Sequence, residues 1–335
     1  MSQTPNITIQ DIAAKANVSI STVSRVLNGT VRVADAKKQA VLAAVAELDY
    51  QPNIFAQGLA RGQSMTVGVL TQDVSGPVYD AILRGVLHEL EGSGYSPLFA
   101  DGRWEASQEQ KAIQVLMSRR IDGLIVLGGN SPVEYLRQIG QDMPLVVVAR
   151  HVAELAAQCL TIDDFQGAYE ATRYLLEMGH RNIAHITGLL THSDAQDRHH
   201  GYRQALIDAG IEPEPELIIE GNFLEQSGVM AVEMLLSRSR TFSAIFAAND
   251  QMAYGARLAL FRRGLRVPDD VSLVGFDDQP TSAYMIPPLT TVHVPASELG
   301  AAASRVLLHK LAGTPYAIPE LPTKLILRES VARYR

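Results

Sequence analysis

The sequence predicts an all-α helix-turn-helix head followed by an α/β body of two doubly wound parallel-sheet lobes. Two patterns carry that prediction. Residues 8–28 hold two short amphipathic segments on either side of a tight turn. From Met65 onward, strand-like and helix-like segments alternate, and the scheme runs twice.

In the head, Thr8 can cap a first helix, with Asp11 three places on completing a capping box. Asn17 tolerates the left-handed backbone of a helix stop, and Ser19 can cap a second helix. Ile9, Ile12, Ala13 and Ala16 make one apolar face; Val23, Val26 and Leu27 make the other. Ile20, Ser21, Thr22, Ser24 and Arg25 are left pointing outward, small hydroxyls and one guanidinium that suit a DNA groove. Taken alone, the pattern also fits a helical hairpin inside a larger core. A third helix over 36–48 places Val41, Leu42, Val45 and Leu48 on its apolar stripe. Pro52 ends it, and residues 53–60 read as a short fourth helix. Gly58 costs that helix about 1 kcal/mol relative to alanine. A helix so short needs a partner to form.

In the body, strands are expected at Thr66–Leu70, Ser96–Ala100, Gly123–Leu127 and Leu145–Ala149, with helices at Tyr79–Gly92, Gln108–Ser118 and Val133–Ile139. The second round has strands at Ile183–Thr187, Leu217–Glu220, Ala244–Ala248 and Ser272–Phe276. Its helices are Gly167–Met178, His200–Ala209, Gln226–Leu236 and Ala253–Arg263. A crossing strand at Thr291–Val294, a helix at Ala296–Leu311 and a last strand at Thr323–Leu327 follow. Ligands of open parallel sheets bind beyond the carboxyl ends of strands. Ser75 and Tyr79 follow the first strand and Arg150 the fourth, so all three are candidates to line a cleft. Trp104, the only tryptophan, either flanks the cleft or packs against a helix, the second being favoured.

Composition limits the function. With 335 residues and 47% apolar content, two or three domains with sizeable cores are expected. The net charge of −7 argues against a chain that coats DNA generally. Residues 1–62 carry six cations against four anions, a net +2, which leaves −9 for the body. Such a split directs the head toward phosphate. The single Cys159 excludes an intrachain disulfide and lies in an apolar run, where it is expected buried and inert. No signal peptide and no apolar run of 18 residues is read from the sequence, so a cytoplasmic bacterial protein is expected. For an enzyme, the signatures are missing: Gly128-Gly129-Asn130-Ser131 lacks nucleotide spacing and Gly-x-Ser-x-Gly does not occur. His199-His200 lacks partners at metal spacing and is expected to face solvent. Neither a metal nor a cofactor is anticipated.

Residues 7–62 resemble the DNA-binding head of the lac repressor family of bacterial transcription regulators. Thr8–Ala13, Val18-Ser19, Thr22–Asn28, Tyr50–Asn53 and Ala56–Ala60 carry the resemblance, which continues to about residue 330. It implies a periplasmic-binding-protein-like body, and an enzyme reading of that body would leave residues 8–60 unexplained. Ile20, Ser21 and Arg25 fall on base-reading positions; a guanidinium on guanine is worth about 1–3 kcal/mol of discrimination. Ser19, Thr22, Ser24, Asn28 and Asn53 fall on phosphate contacts, with Thr8 and Tyr50 beside them in the matching stretches. Leu59 falls on the leucine that wedges into the minor groove, and Ala56 lets two hinge helices approach. Gln57-Gly58 departs from the usual Arg-Ser, which leaves one contact in question.

The resemblance also assigns ligand roles to Arg198, Phe223, Asn249 and Asp277. A sugar is the first expectation for the effector, with a purine or another metabolite as the alternative. Expected boundaries are 1–50 for the head, 51–64 for the hinge and linker, and 65–335 for the body. Within the body, the N-lobe takes about 65–164 and 296–323, the C-lobe 165–292 and 324–335. A homodimer on a near-palindromic operator is implied, with the helix Ile82–Leu90 in its interface. The chain's end at Val331–Arg335 carries no further helix, so a dimer is favoured over a tetramer.

Overall fold

The computed structural model describes residues 7–28, 33–50, 63–150, 152–238 and 240–334. The chain forms two compact units, Met1–Thr66 and Val67–Arg335.

The first unit holds α1 (Ile9–Lys15), α2 (Ile20–Asn28) and α3 (Asp35–Glu47). Asp11 accepts from the Thr8 backbone amide at 2.8 Å and from its hydroxyl at 2.7 Å. Asn17 makes the turn with φ of 50°, and Ser19 Oγ accepts from the Thr22 amide at 3.2 Å at the head of α2. Ile12, Ala13, Val23, Val41 and Ala44 form the core. One expectation fails here. Leu42 is 42% exposed, and Ala44 takes the inward place, because the α3 stripe runs 41, 44, 45, 48. Lys15 and Glu47 pair at 2.6 Å and tie α1 to α3.

The second unit contains two sheets. The first has order β2-β1-β3-β4-β5: β1 (Thr66–Thr71), β2 (Ser96–Asp101), β3 (Gly123–Leu127), β4 (Leu145–Val148) and β5 (Cys159–Leu160). Its helices are α4 (Pro77–Leu90), α5 (Ala106–Ser118) and α6 (Val133–Asp142). The second sheet has order β11-β10-β9-β8-β6-β7: β6 (Ile183–Thr187), β7 (Ile218–Glu220), β8 (Ala244–Ala247), β9 (Ser272–Asp277), β10 (Thr290–His293) and β11 (Lys324–Ile326). Its helices are α7 (Asp164–Glu177), α8 (Ser193–Asp208), α9 (Glu225–Ser237) and α10 (Asp250–Arg262). β11 runs antiparallel to its neighbour, β10. The buried runs Leu124–Leu127, Leu145–Val148 and Ala244–Ala248 are apolar on both faces, as sheets covered by helices on both sides require.

The chain crosses between the sheets after β5, after β10 and after α11 (Ala296–Leu311). α11 returns to the first sheet and packs on α4, β3 and β4. A Cβ on Gly85 would lie 1.9 Å from the Ser297 carbonyl oxygen, and one on Gly300 1.9 Å from that of Ile82. The two helices therefore meet backbone on backbone. Ile82, Val86 and Leu90 point inward from α4, and Leu87 is left outward at 47% exposure. Cys159 is buried.

Candidate nucleic-acid interface and interlobe cleft

On α2, Ile20, Ser21 and Arg25 are exposed, and Thr22 and Ser24 are half-buried. Ser19 Oγ lies 2.9 Å from both Ser21 Oγ and Thr22 Oγ1, so the three hydroxyls form one polar cluster at the start of the helix. Thr8 is exposed beside its Asp11 cap. Tyr50 is half-buried against the head core, next to Asp49 at φ 48°. The side chains of Asn28, Asn53, Ala56 and Leu59 lie outside the described residues.

In the body, both sheets aim their carboxyl ends at one cavity of about 440 Å³. Gln72, Tyr79 and Trp104 line it from the first sheet; Arg198, Phe223, Asn249 and Asp277 line it from the second. Trp104, Ala149, Phe223 and Asp277 all have positive φ, at 58°, 54°, 68° and 105°. Such backbone is costly for residues with a side chain and clusters at functional sites.

Arg198 is the hub. Its Nε donates to Asp164 Oδ1 at 2.8 Å, and one terminal nitrogen donates to the Ala248 carbonyl at 2.5 Å and to Asp277 Oδ1 at 3.4 Å. Its guanidinium carbon stands 3.9 Å above the centre of the Phe276 ring. Burial raises the Asp164 carboxyl to about 6, against the pull of Arg198. Asp277 is pushed well above the carboxylate range by burial, with Asp250, Asp164 and Asp194 adding and Arg198 opposing. Burial alone would weaken the Arg198 proton, yet the surrounding carboxylates hold it firmly. Asn249 caps α10 by accepting from the Met252 amide at 2.9 Å, and its Nδ2 donates to the Phe223 carbonyl at 2.9 Å. It thus pins the turn that presents the Phe223 ring.

Four expectations shift. Ser75 is exposed, and its amide and hydroxyl both turn back to Asp73 Oδ1 at 2.8 and 2.7 Å, so Gln72 and Asp73 form that part of the wall instead. Arg150 faces a second, smaller cavity of about 230 Å³, where it donates to the Ser131 carbonyl at 2.7 Å. Trp104 takes the cleft-flanking place, although its ring also meets Tyr79 of α4. It borders both cavities and lies flat on His192 of the opposite lobe, ring centres 3.8 Å apart. Of the histidine pair, His200 is exposed, but His199 is half-buried and stacks on His185 and Tyr202.

The sequence reading missed Asp164 and His192. Asp164 lies ahead of the Gly167–Met178 helix that the sequence predicts and carries no signal there, and a lone His in the loop after β6 carries no spacing signal. The Glu109 carboxylate was also missed. It is fully buried and accepts from the Asn130 amide (2.8 Å) and the Ser131 amide (2.7 Å), which holds the Gly128-Gly129 turn against the cleft.

The described residues hold no group of three or more metal-ligating side chains, and no described helix is long and apolar enough to cross a membrane.

Comparison with known proteins places this geometry. The family "Bacterial regulatory proteins, lacI family" matches residues 8–53, and "Periplasmic binding protein-like domain" matches residues 172–331. The ribose operon repressor of Haemophilus influenzae is 36% identical over 97% of this chain and 98% of its own. The chain belongs to the lacI family of bacterial regulatory proteins. The HTH-type transcriptional regulator DegA of Bacillus subtilis is 34% identical over 97% of this chain and 98% of its own. Among solved structures, the lac repressor dimer bound to operator and an anti-inducer aligns with a TM-score of 0.88 at 30% identity, covering 97% of this chain and 99% of that one. A CelR–cellobiose complex aligns at 0.72 with 33% identity, covering 97% and 99%. As a member of this lacI family, the chain is a DNA-binding transcriptional regulator with a periplasmic-binding-protein-like body.

Proposed function

We propose that the chain is a homodimeric repressor whose operator affinity is set by a sugar held between the two lobes. The cavity carries this reading. Arg198, Asp164, Asp277 and Asn249 offer donors and acceptors at one side, while Phe223, Tyr79 and Trp104 offer flat apolar faces. Hydroxyls at the rim of a pyranose or furanose and its C–H faces match those two kinds of surface. The relatives agree in kind: one is named a ribose operon repressor, and one neighbour was solved with cellobiose.

Ile20, Ser21 and Arg25 on the exposed side of α2 read bases in the major groove, while Ser19, Thr22 and Ser24 hold phosphates. Thr8, Asn28, Tyr50 and Asn53 add backbone contacts, and Ala56 and Leu59 act at the minor groove. Two such heads on a two-fold dimer need an inverted-repeat site. The dimer surface uses the outward face of α4 at Leu87 and apolar side chains on the second lobe, with Phe261 73% exposed and Tyr284 84% exposed. The protein works in the cytoplasm, where operator and effector meet.

Selection from randomised duplexes should return an inverted repeat, and anisotropy titration of that duplex should shift when ribose, glucose or cellobiose is added. The reading fails if selection returns no preferred site. Its sugar half fails if only a purine base moves the affinity.

A further inference from the structure

One ring inside the cleft belongs to the protein itself. His192 precedes α8 and is 5% exposed. Its imidazole is stacked on the Trp104 indole at 3.8 Å and 13°, and the Phe223 ring follows at 5.9 Å and 16°. Tyr79 meets the indole edge-on at 6.2 Å. Three near-parallel rings thus span the gap from one lobe to the other, with His192 in the middle. His192 Nδ1 is buried without a hydrogen-bond partner. Orphaned polar nitrogens of this kind are rare in folded proteins, because desolvation is not repaid. The stack also closes the lobes on each other, since Trp104 comes from the loop after β2 and His192 from the loop after β6.

We propose that His192 occupies the ring-binding place of the cleft, so that the Trp104–His192 stack and a bound ligand ring exclude one another. The inference rests on the reading of this cavity as an effector site. Eviction costs one aromatic stack, offset in part because the buried nitrogen is freed to meet water or the ligand. The ring that replaces the imidazole lies between the Trp104 and Phe223 faces and turns its edge to Arg198 and Asn249.

Charge narrows the class. Beside the Arg198–Asp164–Asp277 cluster, Asp73, Asp101 and Asp194 line the cavity against Arg103. Arg198 is already paired with Asp164 and Asp277. A phosphorylated or carboxylated ligand would meet uncompensated carboxylates in a poorly screened site. The structure therefore selects an uncharged, hydroxylated ring.

Trp104 is the only tryptophan, so its emission reads the stack directly in the full-length protein. His192→Ala should uncover the indole, raising its emission and moving it to longer wavelength. Affinity for whichever of ribose, glucose or cellobiose binds should rise about tenfold. His192→Phe keeps a ring in the slot and should keep both emission and affinity near the parent, which separates loss of the ring from loss of fold. Glucose 6-phosphate should bind neither protein. An emission unchanged in His192→Ala overturns the proposal, as does a sugar that binds this variant no better than the parent. If no sugar binds either protein, the sugar reading of the cleft falls, and the stack stands or falls on the emission change alone.

Discussion

Gly188 lies directly beneath the ring of Phe223: a Cβ built on it would stand 2.0 Å from the ring Cζ. The strand end of β6 and the Phe223 turn after β7 are thus fitted to each other, and the absence of a side chain at 188 sets where the aromatic platform lies. Gly188→Ala should leave the fold intact and displace the ring from the cavity. Calorimetric titration should show ligand affinity reduced about tenfold, equivalent to about 1.4 kcal/mol. Unchanged affinity would mean that Phe223 does not touch the ligand.

Arg198→Met removes the partner of two buried carboxylates. Breaking a buried pair in this way costs about 3–5 kcal/mol. Urea unfolding should show a loss of that order, and Asp164→Asn with Asp277→Asn in the same chain should recover part of it. Arg198→Lys should recover little, since an ammonium cannot serve Asp164, Asp277 and the Ala248 carbonyl in one plane. A fully stable Arg198→Met protein would contradict the geometry of the hub.

His185 is fully buried beside Phe246, and burial lowers its pKa from 6.5 to about 3; burial likewise brings His199 to about 4. For each, the folded value lies below the unfolded one, so the unfolded chain binds more protons between them. Stability is then fully present above pH 6.5 and lost as pH falls toward 3. The His185 share is at most about 1.4 kcal/mol per pH unit. Asp164 and Asp250, raised from 3.8 to about 6 by burial, work in the opposite direction over that interval. Comparison with His185→Asn therefore isolates the imidazole: its unfolding free energy should fall less steeply below pH 6.5. Parallel curves for the two proteins would exclude this role.

Arg25→Ala should cost about 1–3 kcal/mol of discrimination at one base pair of each half-site. Binding to random duplex should change far less. A uniform loss on all duplexes, measured by anisotropy at fixed salt, would make Arg25 a phosphate contact instead.

Much of the fold is legible in the chain because a parallel sheet covered on both faces demands unbroken apolar runs such as Leu145–Val148, and these stand out against the polar helices. The Thr8–Asp11 cap and the Asn17 turn are legible because each depends on neighbours within three residues. Arg198, Phe223, Asn249 and Asp277 reach the cleft through a recognisable pattern. What is hidden depends on residues far apart in sequence. Trp104 and His192 are 88 positions apart, and their stack exists only because two lobes face each other. Leu42 fails for a smaller reason: on a helix with alanines at 43, 44 and 46, apolar composition surrounds the axis and the stripe loses its edge.

The backbone contact at Gly85 and Gly300 has a mechanical consequence. Two rods pressed together without intervening side chains cannot slide by re-choosing rotamers, so they travel as a single lever. One end of that lever, at Pro77–Tyr79, forms part of the cavity wall, and Leu87 lies toward the other. Rigid coupling of this kind would carry a displacement begun at Tyr79 to the outer face at Leu87.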